Sequence, residues 1–225
     1  MDPVPIIAID GPSGSGKGTV SRRVADALGW RFLDSGALYR LVALAGLRAG
    51  VAAGDVAGHE RLARQMQVEF GSDPSGEERV LLERQDVTRD LRSEQAGTAA
   101  SRVAAMPEVR TALFARQRQF ARPPGLVADG RDMGTIVFPE AGLKIFLTAT
   151  AEERARRRHK QLKEKGLDVS LAALSREIAE RDARDASRPV APLRAAADAI
   201  HLDSTGLAVD EVVAQILRLA HERFR

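Results

Sequence analysis

The sequence predicts an α/β protein in which short buried strands alternate with helices around a parallel sheet. Apolar runs of strand length occur at five points, and segments with apolar residues at helical spacing separate them. This alternation favours parallel strands joined by right-handed crossovers. With 225 residues and 44% apolar composition, the chain can form one full core with small appended lobes. The five predicted strands span residues 6–9, 31–34, 126–128, 144–148 and 199–203.

The first predicted strand leads into a glycine-rich turn and then a helix. Gly11, Gly16 and Lys17 match the pattern G-x-x-x-x-G-K. Glycines let the backbone approach an anion closely, and the first amides of a helix donate to it. The stretch therefore predicts a phosphate-binding loop. Gly18 stands where a serine or threonine is usual, so Thr19 is the nearest hydroxyl for a metal contact.

Composition excludes several function classes. The chain has no cysteine, which excludes disulfides and thiolate zinc sites, and no asparagine, which removes the Asn-Lys-x-Asp signature of guanine-selective GTPases. The formal charge is only +3, although the basic residues are 29 arginines and 5 lysines. Neither a basic and apolar leader nor a run of roughly 18 apolar residues is present, so we expect a cytoplasmic protein.

After the second βα unit, the pattern of residues changes from helical periodicity to short strands and turns. The helix after residues 31–34 begins with Ser35 as a predicted N-cap, and Arg40 falls near the ligand edge of the sheet. Strands predicted at 68–70, 79–84 and 86–88, with turn-like residues at 71–76, indicate an inserted β-rich lobe. Helices predicted at 93–105 and 107–121 then return the chain to the core. Ser101, Arg102 and Arg110 on these helices are candidates for either solvated surface positions or ligand contacts.

A run of charged residues and glycines follows the third predicted strand. Residues 129–135 read Asp-Gly-Arg-Asp-Met-Gly-Thr, so two carboxylates flank Arg131 where the strand ends. Ligands of open α/β sheets bind at the carboxyl ends of the strands. The run is therefore interpreted as a site that touches substrate or magnesium, with a structural Arg/Asp clamp as the alternative.

Two arginine-rich helices are predicted between the last two strands. Residues 150–153 resemble a capping box, and the basic helix they begin has too few apolar residues for a core element. A solvated helix or a nucleic-acid-binding arm would fit that helix equally. The second helix, from about Leu171 to Asp185, places Arg181 and Asp185 four residues apart, a spacing that favours a pair. Together, hinged at Gly166 and Pro189, they predict a movable lid over phosphates.

Four stretches, 11–19, 34–40, 129–135 and 181–188, resemble the bacterial cytidylate kinase family of nucleoside monophosphate kinases. The resemblance spans nearly the whole chain and depends most on residues 129–135 and on the β-rich insertion. It implies a P-loop NTPase fold with a five-stranded parallel sheet flanked by helices, a β-rich NMP-binding insertion and a helical lid. The implied division is a core at 1–65, 105–150 and 190–225, an NMP-binding insertion at 66–104 and a lid at 151–189.

The resemblance also implies transfer of the γ-phosphoryl group of ATP to CMP or dCMP, with Mg²⁺ as cofactor. A monophosphate acceptor is already anionic at neutral pH, so alignment and charge neutralisation suffice without a catalytic base. Cytosine presents an amine to an acceptor such as Asp132 and a ring nitrogen and carbonyl to donors such as Arg110 and Arg188. We expect a monomer that binds no nucleic acid or membrane. An AMP or UMP kinase, a P-loop ATPase or GTP switch, and a nucleic-acid-binding module are the alternatives.

The resemblance assigns roles to residues of this chain. The catalytic residues are Lys17, Arg131 and Arg181. The ATP-binding residues are Gly11, Pro12, Ser13, Gly14, Ser15, Gly16, Lys17, Gly18, Thr19 and Arg157. The CMP-binding residues are Ser35, Arg40, Ser101, Arg110, Asp129, Arg131, Asp132, Arg181, Asp185 and Arg188. Thr19 is the candidate metal contact, with most Mg²⁺ coordination expected from water and phosphates.

Overall fold

The computed structural model describes residues 3–72, 78–164, 169–188 and 190–224. The chain divides into two compact units, one formed by Met1–Asp34 with Gln117–Arg225 and the other by Ser35–Arg116. Among the described residues, no helix is long and apolar enough to cross a membrane. The strands are β1 (Ile6–Asp10), β2 (Arg31–Asp34), β3 (Val68–Ser72), β4 (Glu78–Leu82), β5 (Gln85–Asp86), β6 (Leu126–Gly130), β7 (Leu143–Thr148) and β8 (Ile200–Asp203). The helices are α1 (Lys17–Leu28), α2 (Ser35–Arg48), α3 (Val56–Gln65), α4 (Thr88–Leu91), α5 (Glu94–Val103), α6 (Pro107–Arg118), α7 (Ala151–Glu164), α8 (Leu171–Ala186) and α9 (Val209–Arg223).

The first unit contains a five-stranded sheet in the order β2-β6-β1-β7-β8, and every pairing in it is parallel. The predicted fold class is thereby confirmed. The register places Asp10 beside Gly130 across β1 and β6, and beside Phe146 across β1 and β7. The carboxyl ends of the three central strands therefore lie at one edge of the sheet, where the phosphate loop and the 129–135 run begin.

The core of this unit lies between the sheet and helices α1 and α9. Ile7, Ile9 and Ile145 are almost wholly buried, as expected for strands of a parallel sheet that is covered by helices. From α9, Val212 and Ile216 pack into the same cluster. This packing fixes the strand ends from which the site residues project.

The second unit contains the predicted β-rich stretch. Strands β3, β4 and β5 form an antiparallel sheet in that order. Glu83 and Arg84 connect β4 to β5 with φ values of +49° and +65°. Because a two-residue hairpin turn of this kind needs left-handed backbone at both positions, Arg84 occupies a conformation that glycine would adopt more easily. Of the predicted turn at 71–76, residues 73–76 lie outside the described residues.

The predicted lid contains helices α7 and α8, which pack against each other. The expectation that α7 has no core role was wrong in part, since Arg154, Ala155 and Leu162 are buried. The capping box is half formed: the Thr150 hydroxyl accepts from the Glu153 N–H, while the Thr150 N–H donates to Thr205. The predicted hinges, Gly166 and Pro189, lie outside the described residues.

Candidate active site

The phosphate loop connects the end of β1 to the first residue of α1. Gly11 approaches β7 so closely that a Cβ atom there would lie 2.0 Å from the Leu147 carbonyl oxygen, and Gly14 and Gly16 adopt φ values of +77° and +90°. Only glycine meets these conditions without strain. The twelve-residue helix α1 has no acidic residue in its first turn, so its positive end faces the loop uncompensated within the helix. The loop is built to bind an anion.

Lys17 is the first residue of α1 and is buried. Its Nζ donates to the Pro12 carbonyl oxygen at 3.0 Å and lies 4.0 Å from Asp129 Oδ1. Burial, and then the neighbouring Arg131 guanidinium, lower the pKa of Lys17 to about 7, while the Asp129 carboxylate acts in the opposite direction. A phosphate dianion beside this amine would favour its charged form. Lys17 would therefore be protonated when an anionic ligand is bound.

The segment after β6 is anchored by Asp10, which was not among the predicted site residues. Asp10, the last residue of β1, accepts hydrogen bonds from the Met133 and Gly134 N–H groups, both at 2.8 Å. Residues 133–137 form a single π-helical turn, in which the Phe138 N–H donates to the Met133 carbonyl oxygen at 2.7 Å. Asp132 precedes this turn, but its side chain does not cap it. Asp10 provides the capping acceptors instead.

The Asp10 carboxylate is 4% exposed and sits among other charges. Burial raises its pKa to about 7 against the two backbone hydrogen bonds, Asp132 raises it further, and Lys17 lowers it. In the sequence, the one feature that could have identified Asp10 is its position as an ionisable residue between an apolar strand and a glycine. Its partners are more than a hundred residues away along the chain, so the sequence could not name them.

Asp185 joins the 129–135 run to helix α8. It is 1% exposed, and its Oδ2 accepts from Arg131 Nε at 3.0 Å while its Oδ1 accepts from an Arg188 Nη atom. Although burial opposes ionisation, the Arg131 and Arg188 guanidinium groups hold the pKa of Asp185 below its usual value, and Arg181 adds to that effect. The structure thus brings together four of the residues predicted for the acceptor site. The predicted charge interaction of Arg181 with Asp185 is one part of a larger cluster.

Arg157, predicted to bind ATP, lies beside the phosphate loop. Its guanidinium donates to the Ser15 carbonyl oxygen at 3.3 Å and to Ser204 Oγ at 3.1 Å, while its Nε donates to Glu153. Ser204, which follows β8, also donates from its hydroxyl to the Thr148 carbonyl oxygen at 2.9 Å. Ser204 was not among the predicted site residues, because no local pattern connects a serine after the last strand to the loop after the first.

The second unit carries four more of the ten residues predicted for the acceptor. Ser35 is buried at the start of α2, and Ser101 is buried on α5, which packs against α2. Arg110 on α6 is also buried: it donates to the Ala104 carbonyl oxygen at 3.3 Å and stacks over the Tyr39 ring at 5.6 Å. The solvated-surface alternative therefore fails for Ser101 and Arg110. Arg40 is half-buried on α2, and Arg102 is exposed.

Two oxygen-bearing side chains near the loop suit a magnesium ion bound with a nucleotide. Thr19 is exposed in the first turn of α1. Asp129 Oδ2 lies 3.4 Å from the position that a Cβ on Gly18 would occupy, so the carboxylate faces the helix start where a serine or threonine is usual. Among the described residues, no group of three or more metal-ligating side chains occurs. This donor set fits an ion held largely by phosphates and water rather than by a protein cage.

The parallel sheet, the glycine-rich loop after β1 and the lysine at the start of α1 define a P-loop protein of the NTPase fold. A profile of cytidylate kinases matches residues 7–222. The chain belongs to the cytidylate kinase family, which confirms the predicted resemblance.

Individual relatives agree with this assignment. The chain is 58% identical over 224 residues to the cytidylate kinase of Stutzerimonas stutzeri, a match that covers 99% of this chain and 98% of the relative. It is 57% identical over 213 residues to the cytidylate kinase of Methylococcus capsulatus, covering 95% of each. The crystal structure of an uncharacterized protein from Eubacterium ventriosum superposes with a TM-score of 0.54 at 14% identity, covering 97% of this chain and 99% of that one, and so shows the fold alone.

Proposed function

We propose that this protein transfers the γ-phosphoryl group of ATP to CMP and dCMP, giving ADP and CDP or dCDP. The observation that carries the proposal is the placement of Lys17, buried at the start of α1 and 4.0 Å from Asp129, at the junction of the phosphate loop and the 129–135 run. Membership of the cytidylate kinase family supports the same reaction. The reaction belongs to pyrimidine nucleotide metabolism, and we expect the enzyme to act as a cytoplasmic monomer.

Catalysis in this proposal consists of alignment and charge neutralisation. The attacking oxygen of a nucleoside monophosphate is already anionic at neutral pH, so the site needs no general base. Lys17 bridges the β- and γ-phosphates, while Arg131 and Arg181 neutralise charge on the transferring group and the acceptor phosphate. The loop residues 11–19, apart from Pro12, hold the ATP phosphates through their backbone N–H groups.

Each residue predicted for the acceptor has its own role in this proposal. Arg40 and Arg131 bind the acceptor phosphate, and Arg181 and Asp185 address the sugar. The cytosine contacts come from Ser101, Arg110, Asp132 and Arg188, and Ser35 and Asp129 complete the set. Uracil would leave some of these buried polar groups unpaired, at a cost of about 1 to 3 kcal/mol each. The proposed enzyme therefore prefers CMP over UMP.

Mg²⁺ fits as the cofactor bound with ATP. When bound, it neutralises charge on the phosphates during transfer. Thr19 and Asp129 are the side chains of this chain that suit contacts to the ion or its water ligands. Arg157 lies beside the loop in a position compatible with the ATP half of the site. In functional terms, we assign 66–104 to NMP binding, 151–189 to the lid and the remaining segments to the core.

A coupled assay for ADP production, run with CMP, dCMP, UMP and AMP at matched concentrations, tests the proposal. We expect the highest kcat/KM with CMP or dCMP and little ADP without an acceptor. Equal kcat/KM for CMP and UMP would contradict the assigned base contacts. ADP release independent of any acceptor would indicate an ATPase instead.

A further inference from the structure

Helix α7 contains one arginine whose side chain is turned fully into the protein. Arg154 is 5% exposed, and all three of its nitrogens donate hydrogen bonds. Nε donates to the Ala149 carbonyl oxygen at 3.0 Å, Nη1 to the Ser13 carbonyl oxygen at 3.0 Å and to Asp182 Oδ1 at 3.1 Å, and Nη2 to Asp182 Oδ2 at 2.6 Å. One guanidinium thus connects the segment after β7, the phosphate loop and helix α8.

The contact with the loop acts on its backbone rather than on a ligand. In a trans peptide, the carbonyl of one residue and the N–H of the next point in opposite directions. Arg154 holds the Ser13 carbonyl toward α7, so the Gly14 N–H points away from that helix. Arg157 holds the Ser15 carbonyl in the same way and directs the Gly16 N–H. Both N–H groups belong to the loop that we propose binds phosphate.

Asp182 completes this arrangement from helix α8. Its two oxygens accept hydrogen bonds from both terminal nitrogens of Arg154, which forms a bidentate pair. The Asp182 side chain is 28% exposed, so the pair is largely shielded from water. Asp182 follows Arg181 directly and lies one turn before Asp185 on the same helix. A shift of α8 therefore changes the position of these residues and the hold on the Ser13 carbonyl together.

We propose that Arg154 and Asp182 are positioning residues that keep the phosphate loop in its anion-receiving conformation and couple it to the placement of α8. The inference rests on the proposed function, since it concerns the ATP half of that site. Neither residue touches the reacting atoms. Both act through the backbone of residues 13–14, so their loss weakens ATP binding while the loop sequence stays intact.

The variants Arg154→Lys and Asp182→Asn test the proposal. A lysine keeps the positive charge, but one ammonium cannot bond to Ala149, Ser13 and both Asp182 oxygens at once. Asparagine keeps the shape of Asp182 and removes its charge. In each variant we expect the Kd for ATP, measured by calorimetry without acceptor, to rise about tenfold. The double variant should weaken binding by less than the product of the two single factors, because both changes break the same contact.

Glu180→Gln is the matched control, since it removes an exposed pair with Arg184 on the same helix. We expect its Kd for ATP to equal that of the wild type. Thermal unfolding reports the structural effect separately. A lower Tm with an unchanged Kd for ATP in Asp182→Asn would overturn the proposal, whether or not Arg154→Lys folds. A wild type that binds ATP but phosphorylates no CMP would contradict the proposed function and leave this coupling standing.

Discussion

Two loops follow neighbouring strands of the central sheet, and they are stabilised in different ways. The phosphate loop after β1 takes its shape from glycines and from the helix that begins at Lys17. The 129–137 segment after β6 takes its shape from distant side chains: Asp10 holds its π-helical turn, and Asp185 holds Arg131. The conformation of the first loop thus depends mainly on its own glycines, with Arg154 and Arg157 holding two of its carbonyl groups. The conformation of the second depends on side chains elsewhere in the chain.

This difference corresponds to the two tasks of the proposed enzyme. Phosphate is the same in every nucleotide, so backbone N–H groups of fixed geometry suffice to bind it. A base must be distinguished from similar bases, which requires individual donors and acceptors at set positions. We therefore expect substitutions in the first loop to reduce phosphoryl transfer for every acceptor, and substitutions around the second to change the choice of acceptor.

The largest expected effect is that of Lys17→Met. Methionine keeps much of the side-chain length but removes the charge at the β- and γ-phosphates, so we expect kcat to fall by about 10³-fold or more. Because the residues that we propose contact the acceptor base lie elsewhere, the ratio of kcat/KM for CMP to that for UMP should change little in comparison. Steady-state assays with both acceptors measure the two quantities. Near-normal turnover in a folded variant would exclude the assigned role of Lys17.

Asp185→Asn should produce the next largest effect, and we expect it to weaken the use of CMP rather than the binding of ATP. The change removes the buried charge that both Arg131 and Arg188 contact, and breaking such a pair costs about 2 to 5 kcal/mol. We expect kcat/KM for CMP to fall by about 100-fold, while the Kd for ATP stays within a few-fold of the wild type.

Calorimetry with ATP and steady-state kinetics with CMP separate these outcomes for Asp185→Asn. Glu180→Gln, an exposed carboxylate on the same helix, serves as the control. A parallel loss of ATP and CMP binding would show that the cluster around Asp185 supports both halves of the site, and the contrast between the loops would then not hold.

Local pattern made most of the fold predictable. Buried parallel strands appear as short apolar runs, and the glycine-lysine pattern places the loop between β1 and α1 without any tertiary information. The hairpin of β3 and β4 was also predicted from a local change in composition, whereas the third strand was predicted at 86–88 and lies at Gln85–Asp86. In helix α9, Val212, Ile216 and Ala220 recur at helical spacing, which is a local pattern of the same kind.

Contacts between distant residues could not be predicted in the same way. Asp10 bonds to a residue 123 positions away, and Arg154 bonds to one 141 positions away. The basic composition of α7 indicated solvent exposure, but a guanidinium can be buried when every nitrogen finds an acceptor, as in Arg154. The sequence therefore predicts which residues could do chemistry, but it does not indicate which distant residues hold them in place.

Asp10 connects the two loops, because it ends the strand before the first loop and caps the π-helical turn of the second. Asparagine at this position offers one oxygen and one NH₂ group, so it cannot accept from the Met133 and Gly134 N–H groups with two separate oxygens as the carboxylate does. We expect Asp10→Asn to raise the KM for CMP by about five- to tenfold through the displaced Asp132, with a smaller change for ATP. Equal changes in the KM values for ATP and CMP would mean that Asp10 supports the phosphate loop as much as the 129–137 segment.

The same variant should change how stability depends on pH. Because burial raises the pKa of Asp10 to about 7 from 3.8, the folded protein retains a proton there that the unfolded chain has already lost. This group's contribution to stability is therefore present below about pH 4 and is lost as the pH rises toward 7, by at most about 1.4 kcal/mol per pH unit. An asparagine side chain does not titrate, so the free energy of unfolding of Asp10→Asn minus that of wild type should increase from pH 5 to pH 8, which means that the variant becomes more stable relative to wild type.

Urea denaturation at pH 5, 6, 7 and 8 measures this difference. Asp203→Asn provides the control, because Asp203 ends β8 in an exposed position and its hydrogen bonds from Thr205 lower its pKa, so it stays ionised throughout this range. We expect the control difference to be flat across the four pH values. A flat difference for Asp10→Asn as well would mean that the carboxylate is already charged at pH 5, held by the two N–H groups and Lys17 strongly enough to offset its burial.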